Sequence, residues 1–234
     1  MLYFRPMRPV FEVFTVDGFE ENTYLVGDAD AGEAIVVDPG GRATDIVRVA
    51  GLRGVRIARI VATHPHYDHV TGVDELRRLT GATFWLHPDG EIVLRALDDQ
   101  AAMFGLPGIP VPAVDGRLVP GERLAVGELA LEVRHAPGHA PGHVVLVGPS
   151  IELDGLRAPF ALVGDVIFYG GIGRTDLPGG DYATLMASIE REIMTLPPDT
   201  VLYSGHGPAT TVAHERQFNP FVREWSSRGR ADGR

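Results

Sequence analysis

The stretch that decides both fold and chemistry is Thr-His-Pro-His-Tyr-Asp-His at residues 63–69, directly after an apolar run typical of a buried strand. His64 and His66 are two residues apart, so in an extended backbone their side chains share one face. The turn that follows lets Asp68 and His69 point back toward the same volume. Imidazole and carboxylate groups so arranged suit a zinc, iron or manganese ion. The stretch therefore predicts a metal site.

Three further residues of ligand type also stand at predicted strand ends or turns. Asp165 follows the predicted strand 160–163, His206 follows the predicted strand 200–203, and His139 follows a Pro-Gly turn. Each has a glycine beside it, which permits close approach of the backbone. Together with the first stretch, these residues predict enough ligands for two metal ions.

Composition narrows the chemistry further. The chain has 234 residues, of which 44% are hydrophobic and 22% charged, and it contains no cysteine. Disulfides, cysteine-ligated metals and cysteine nucleophiles are thereby excluded. All 21 basic residues are arginine, which excludes a lysine Schiff base and a Walker-type phosphate loop. The formal charge of −10 disfavours binding to nucleic acid or to an anionic membrane.

The hydrophobic pattern predicts a layered arrangement of strands and helices. Strands are predicted at 10–16, 23–27, 34–37, 57–62, 83–86, 129–133, 144–147, 160–163 and 200–203. Helices are predicted at 44–50 (capped by Thr44), 70–79, 88 to about 103, and 182–194, with a proline-rich loop at 105–115. We expect an α/β (α+β) fold with one domain at 1–225 and a short polar, frayed tail at 226–234.

Neither a signal peptide nor a membrane span is visible in the sequence. The first 14 residues carry Arg and Pro where a signal peptide needs a continuous apolar run. The charge-free stretch 100–114 is too short to span a bilayer and is interrupted by prolines. We therefore expect a cytoplasmic protein.

Taken in order, these motifs resemble the metallo-β-lactamase superfamily. The resemblance rests on the stretch 63–69, Pro-Gly-His at 137–139, Gly-Asp at 164–165, Gly-His-Gly at 205–207 and Asp-Pro-Gly at 38–40. Within the superfamily the chain is similar to the glyoxalase II-like (hydroxyacylglutathione hydrolase-like) branch. Glyoxalase II has a C-terminal helical domain, which we do not expect in this protein because only 13 residues follow Phe221.

The resemblance implies a four-layer αββα sandwich with a dinuclear site. One metal would be held by His64, His66 and His139, the other by Asp68, His69 and His206, with Asp165 bridging both. Two divalent ions are implied, with zinc as the first expectation and iron or manganese as alternatives. The second copy of Ala-Pro-Gly-His ends at His143, which we expect to support the site without binding metal.

The implied reaction is hydrolysis of a small acyl thioester such as S-lactoylglutathione. A hydroxide shared by the two ions would attack the acyl carbonyl, with Asp68 orienting it or accepting a proton. Arg174 is expected to bind a substrate carboxylate, although an ion pair with Asp176 or Asp181 is an equal possibility. The expected partner is a small-molecule thioester, with neither nucleic acid nor membrane involved.

Two alternatives share the same fold. A persulfide dioxygenase would use a single iron held by His64, His139 and Asp165. Enzymes of that group share the Gly-Arg-Thr-Asp sequence found here at 173–176. A lactonase or other ester hydrolase is the second alternative. An RNA-processing nuclease would need a basic groove, which this acidic chain does not indicate.

Overall fold

Two six-stranded sheets lie at the centre of the structure, a computed structural model that describes residues 7–153 and 155–231. The strands are β1 (Pro9–Val16), β2 (Glu21–Asp28), β3 (Glu33–Val37), β4 (Arg56–Val61), β5 (Thr83–Leu86), β6 (Gly116–Arg117), β7 (Arg123–Val126), β8 (Leu129–His135), β9 (Val144–Leu153), β10 (Leu156–Gly164), β11 (Ile167–Phe168), β12 (Gly171–Ile172), β13 (Val201–Ser204) and β14 (Thr210–Thr211). The helices are α1 (Ala43–Arg53), α2 (Tyr67–Val70), α3 (Val73–Thr80), α4 (Glu91–Leu94), α5 (Leu97–Met103), α6 (Tyr182–Ser188), α7 (Val212–Phe218) and α8 (Pro220–Ala231).

Strand order explains how distant parts of the chain reach one edge. The first sheet runs β1 to β6 in chain order, antiparallel up to β3 and parallel from there on. The second sheet has the order β14-β13-β10-β9-β8-β7, and β10 and β13 are parallel neighbours. The residues after parallel strands leave from the same end of a sheet, where ligands commonly bind. The chain after β10 and the chain after β13 therefore begin side by side.

Side-chain alternation along the strands divides the core into three packed zones. Val36 on β3 packs toward the first helical layer, while Ile35 and Val37 face the second sheet. On β10, Leu162 faces the first sheet and Val163 faces the outer helices. This period-two pattern is expected for strands buried on both faces. The αββα four-layer sandwich is therefore confirmed.

Several predicted helices are shorter than the periodicity indicates. The predicted helix 70–79 divides into α2 and α3 at Gly72, whose N–H donates to the Pro39 carbonyl at 2.8 Å. A Cβ at this glycine would stand 2.8 Å from the same oxygen, so the chain bends where the backbones meet. The segment from 88 onward divides into a 3₁₀ turn at Pro88–Gly90, α4 and α5.

Three other expectations about the helices need correction. Helix α1 starts after Arg42, which has a left-handed φ of 55°, and no side chain caps it, so the predicted Thr44 cap is wrong. The predicted helix 182–194 is α6 followed by a π-helical turn at Ile189–Ile193. The tail predicted at 226–234 is helical as far as Ala231, because α8 continues through it. Residues 232–234 lie outside the described part, and the single-domain division stays a prediction.

One buried carboxylate holds the small β11–β12 hairpin in place. Glu215 on α7 accepts hydrogen bonds from Thr210 Oγ1 at 2.6 Å, the Gly170 N–H at 3.0 Å and Asn219 Nδ2 at 2.8 Å. Asn219 also donates to the carbonyl of Gly171 at 2.9 Å. The hairpin is thus tied to the outer helices by both residues. In residues 7–153 and 155–231 no helix combines the length and the apolar character needed to cross a bilayer.

Candidate metal centre

Three buried histidines converge on one point beside the sandwich. His139 Nε2 lies 3.2 Å from His64 Nε2 and 2.9 Å from His66 Nδ1. His64 and His66 come from the loop after β4, and His139 from the loop after β8. Ring nitrogens this close point their lone pairs at a common position. Three neutral imidazoles in that arrangement are a typical set of ligands for one metal ion.

A second group of ligand atoms lies next to the first. His206 Nε2 is 3.2 Å from Asp68 Oδ2, and His69 Nε2 is 3.7 Å from the same oxygen. Asp68 and His69 belong to α2, while His206 follows β13. One ligand atom from each of these three side chains lies within 4.8 Å of the others, which is compact enough to surround an ion.

Asp165 stands between the two groups. Its Oδ2 is 3.6 Å from His139 Nε2 and 3.6 Å from His206 Nε2, and its Oδ1 is 3.5 Å from His69 Nε2. The carboxylate therefore contacts both triads at once. The structure brings all seven residues predicted from the sequence into one cluster. Their role as ligands stays a prediction, which the chemistry below supports.

Hydrogen bonds behind the cluster set the tautomers of its histidines. His139 Nδ1 lies 2.8 Å from the Arg174 carbonyl, and His206 Nδ1 lies 3.0 Å from the Phe19 carbonyl. A carbonyl accepts only from an N–H, so both Nδ1 atoms are protonated and both Nε2 atoms present lone pairs to the cluster. Such backing contacts are typical of metal-ligating histidines.

Asp38 is a supporting residue whose role the sequence analysis did not identify. Its carboxylate accepts from the Thr63 N–H and from Thr63 Oγ1, each at 2.6 Å, and lies 3.3 Å from His69 Nδ1. Thr63 Oγ1 in turn lies 3.1 Å from His64 Nδ1. The signal available in the sequence was an aspartate after a strand and before Pro-Gly. Its partners could be known only once β3 and β4 were paired.

The polar atoms without partners show whether a metal fits here. Within the described residues, both ring nitrogens of His69 and Oδ1 of Asp165 are buried and accept or donate no hydrogen bond. A buried polar atom left in this state costs about 1–3 kcal/mol. A cation among His69, Asp165 and their neighbours would remove that cost. The donor set of imidazoles and carboxylates fits zinc, iron or manganese.

The two triads differ in their protonation. Burial lowers the pKa of His139, and it lowers that of His66 to about 3, so the first triad is neutral near pH 7. Burial opposes charge on His69 as well, but the carboxylates of Asp68 and Asp165 outweigh it and raise the His69 pKa. The pKa of His206 is also raised, because its contact with Asp68 outweighs burial.

This difference predicts a stepwise loss of metal on acidification. A histidine must be neutral to bind a metal, so protons compete first where the pKa is raised, at His69 and His206. Protons compete with a metal ion for the nitrogens of His64, His66 and His139 only at much lower pH. We expect metal content after dialysis to fall from about two ions per chain to about one before the last is lost. Elemental analysis across pH 4–8 checks this, and a single concerted loss of both ions contradicts it.

His143 lies next to the cluster, and its supporting role stays a prediction. Its Nε2 accepts from the Asp165 N–H at 3.1 Å, and its ring stacks on His64 with centroids 4.6 Å apart. With Nε2 so engaged, His143 contacts the backbone of Asp165. Buried Glu21, which no sequence motif marked, has its Oε1 4.0 Å from His69 Nδ1. Burial raises the Glu21 pKa.

A second histidine pair lies away from this cluster. The rings of His87 and His135 stack at 4.5 Å with an angle of 9°, and Asp89 is close to both. His87 Nδ1 accepts from the Asp89 N–H at 3.2 Å. One ligand atom from each of His87, Asp89 and His135 lies within 4.8 Å of the others, but this group has only three members and the Asp89 side chain is 65% exposed.

A cavity of about 650 Å³ opens onto the cluster. His66, Asp68, His139, Asp165 and His206 all form part of its wall. A site of this size is typical of small-molecule pockets.

Arg174 also lines the cavity, where its Nε and Nη2 donate to Asp176 at 2.7 and 2.8 Å. The ion pair with Asp176 that the sequence left open is therefore present. Substrate binding by Arg174 stays a prediction.

Comparison with known proteins decides the family. The family model described as the metallo-beta-lactamase superfamily matches residues 16–206. The chain belongs to the metallo-β-lactamase superfamily. Its family match spans all seven clustered residues, so the resemblance inferred from the motifs is confirmed.

Named relatives within the superfamily have different activities. Hydroxyacylglutathione hydrolase GloC of Haemophilus influenzae is 34% identical over 217 residues, covering 92% of this chain and 99% of GloC. The human mitochondrial persulfide dioxygenase ETHE1 is 32% identical over 206 residues, covering 85% of this chain and 70% of ETHE1. Although these relatives catalyse different reactions, the comparisons together support a metal-binding hydrolase of the metallo-β-lactamase superfamily.

Solved structures of the superfamily agree with the fold. BLEG-1, a B3 metallo-β-lactamase, has a TM-score of 0.79 at 32% identity and covers 91% of this chain and 99% of its own. TTHA1623 in a di-iron-bound form has a TM-score of 0.75 at 35% identity and covers 90% of this chain and 99% of its own. The four-layer architecture is thus shared over nearly the whole length.

Proposed function

We propose that this protein hydrolyses a small acyl thioester, with S-lactoylglutathione as the first substrate to test, and that it does so with two divalent ions. One observation carries the proposal: the Asp165 carboxylate contacts both the His64–His66–His139 group and the Asp68–His69–His206 group. A single-metal site has no need of the second group. The name of the GloC relative gives independent support for the thioester.

The protein's own residues prepare the reaction. When bound, the two cations would supply water activation and polarisation of the acyl carbonyl. Asp68 stays anionic because His69 and His206 outweigh the effect of burial and hold its pKa well below the usual range. Its carboxylate faces the cavity, where it can orient a water molecule by accepting a hydrogen bond from it. The chain has no cysteine, and the proposal needs no protein nucleophile.

The test combines metal content with two assays on untagged, freshly purified protein. We expect about two ions per chain, zinc first and iron or manganese as acceptable alternatives, together with hydrolysis of S-lactoylglutathione. One iron per chain, with oxygen uptake on glutathione persulfide and no thioester cleavage, would overturn the proposal. That outcome would indicate persulfide dioxygenase activity, the activity for which the human relative is named.

Arg174 is proposed to receive a carboxylate of the thiol carrier at the mouth of the cavity. Its side chain is 53% exposed, so it can exchange Asp176 for a substrate carboxylate. We expect Arg174→Ala to raise KM for S-lactoylglutathione about tenfold while changing kcat less than about threefold. Asp176→Ala frees the guanidinium and should lower KM. Steady-state kinetics of both variants check this, and unchanged KM values in the pair would remove Arg174 from substrate binding.

A further inference from the structure

The cavity over the metal centre has an apolar wall built by several elements. On one side are the β1–β2 turn, α4 and the end of α5, and on the other is the β11–β12 hairpin held by Glu215. The apolar side chains used below are Phe19, Ile92, Met103, Phe104, Phe168 and Ile172. The two sides face each other across the opening to the seven-residue cluster.

Several of these side chains are unusually exposed for their size. Ile92 is 70% exposed, Met103 59% and Phe104 48%. Phe19 and Phe104 meet edge to face with ring centroids 5.6 Å apart, which joins the β1–β2 turn to the end of α5. Large apolar side chains gathered around one opening mark a ligand-binding surface.

Of the polar side chains on this wall, Gln100 and Tyr67 already have partners, while the exposed carboxylate of Asp99 also lines the cavity. Gln100 Oε1 accepts from the Tyr67 N–H at 2.9 Å, and its Nε2 donates to the Val93 carbonyl at 2.8 Å. The Tyr67 hydroxyl donates to the Pro107 carbonyl at 2.9 Å. A hydroxyl on a substrate's acyl group would therefore have to compete with the existing hydrogen bonds of Gln100 and Tyr67. Methylene groups would instead contact the apolar side chains of this wall.

We infer that the cavity binds an apolar, unsubstituted acyl chain of several carbons. The inference rests on the proposed thioester hydrolysis and names its substrate class more closely. The acyl chain lies along Ile92, Met103 and Phe104, and its carbonyl reaches the seven-residue cluster. Plain acyl thioesters of medium length are then better substrates than the hydroxyacyl compound.

A series of glutathione thioesters with one carrier and different acyl groups tests this. Burial of a CH₂ group is worth about 0.8 kcal/mol, or about fourfold, so in this open cavity we expect kcat/KM to rise about threefold per CH₂ from acetyl to hexanoyl. Propanoyl should equal or exceed lactoyl, which differs by one hydroxyl. A flat series, or lactoyl more than about tenfold ahead of propanoyl, would overturn the inference.

Surface variants locate the effect on the wall. Ile92→Ser and, separately, Met103→Ser should reduce the octanoyl-to-acetyl ratio of kcat/KM about threefold to fivefold. Leu52→Ser is the matched control, because Leu52 is 74% exposed on α1 and outside the cavity lining. An unchanged ratio in both wall variants would contradict the assignment of this surface.

A binding experiment separates failure of this inference from failure of the proposed reaction. S-methyl-, S-butyl-, S-hexyl- and S-octylglutathione are thioethers that cannot be hydrolysed, and calorimetry gives their Kd values. We expect Kd to fall about threefold per CH₂. Absence of turnover on every thioester would refute the proposed hydrolysis, while this series would still decide what the wall binds. Equal Kd values across the series would refute the inference.

Discussion

Asp165→Ala is expected to remove both metal ions and to lower kcat/KM for thioester hydrolysis about a thousandfold. The carboxylate contacts His139 and His206 through Oδ2 and His69 through Oδ1, so its loss removes the group that connects the two triads. Three histidines or a mixed triad alone would hold an ion more weakly and would lack the shared ligand. Elemental analysis and steady-state kinetics on the same preparation measure the two effects.

Two companion variants make the Asp165 result interpretable. Asp165→Asn keeps the side-chain shape, so it separates loss of charge from loss of volume. Asp74→Ala removes an exposed carboxylate on α3 and should leave both metal content and kinetics unchanged. If Asp165→Ala retained two ions per chain and full activity, the dinuclear proposal would fall.

Asp38→Ala is expected to weaken metal binding about 10–100-fold and to destabilise the metal-free protein by about 3 kcal/mol. The substitution removes the acceptor of two buried hydrogen bonds from Thr63 and the carboxylate beside His69. It also places alanine at a backbone φ of 52°, where a non-glycine residue is strained unless its side chain compensates.

The contributions at Asp38 can be separated by the choice of variant. Asn tolerates a left-handed backbone, so Asp38→Asn should recover about 1 kcal/mol of the lost stability while metal binding stays weak. Urea unfolding of metal-free protein measures the free energy of unfolding. Asp45→Ala, at a half-exposed surface ion pair, is the control. Loss of less than about 0.5 kcal/mol in Asp38→Ala would show that this network does not stabilise the fold.

Much of the fold and the site could be predicted from the sequence because short-range patterns carry the information. The β-branched run at β3 is buried on both faces, which made it recognisable as a strand. The ligand-type residues cluster at strand ends, and parallel β10 and β13 bring Asp165 and His206 together as that position implies.

What could not be predicted depends on contacts between distant segments. The break at Gly72 follows from the approach of Pro39, which no local periodicity reports. The engagement of Asp38 with Thr63 requires the pairing of β3 with β4. Likewise, only the folded chain shows that the side chains of Gln100 and Tyr67 donate hydrogen bonds to backbone carbonyls.

The origin of the seven clustered residues has a consequence for folding. Four of them follow β4 in the first sheet, and three follow strands of the second sheet. Ions held there would fasten one half of the sandwich to the other, and the unfolded chain has no such preformed site. At a free metal concentration of 100 times Kd, each ion would add about 2.7 kcal/mol to the free energy of unfolding. The lifetime of the chain against proteolysis would then depend on the cell's metal supply.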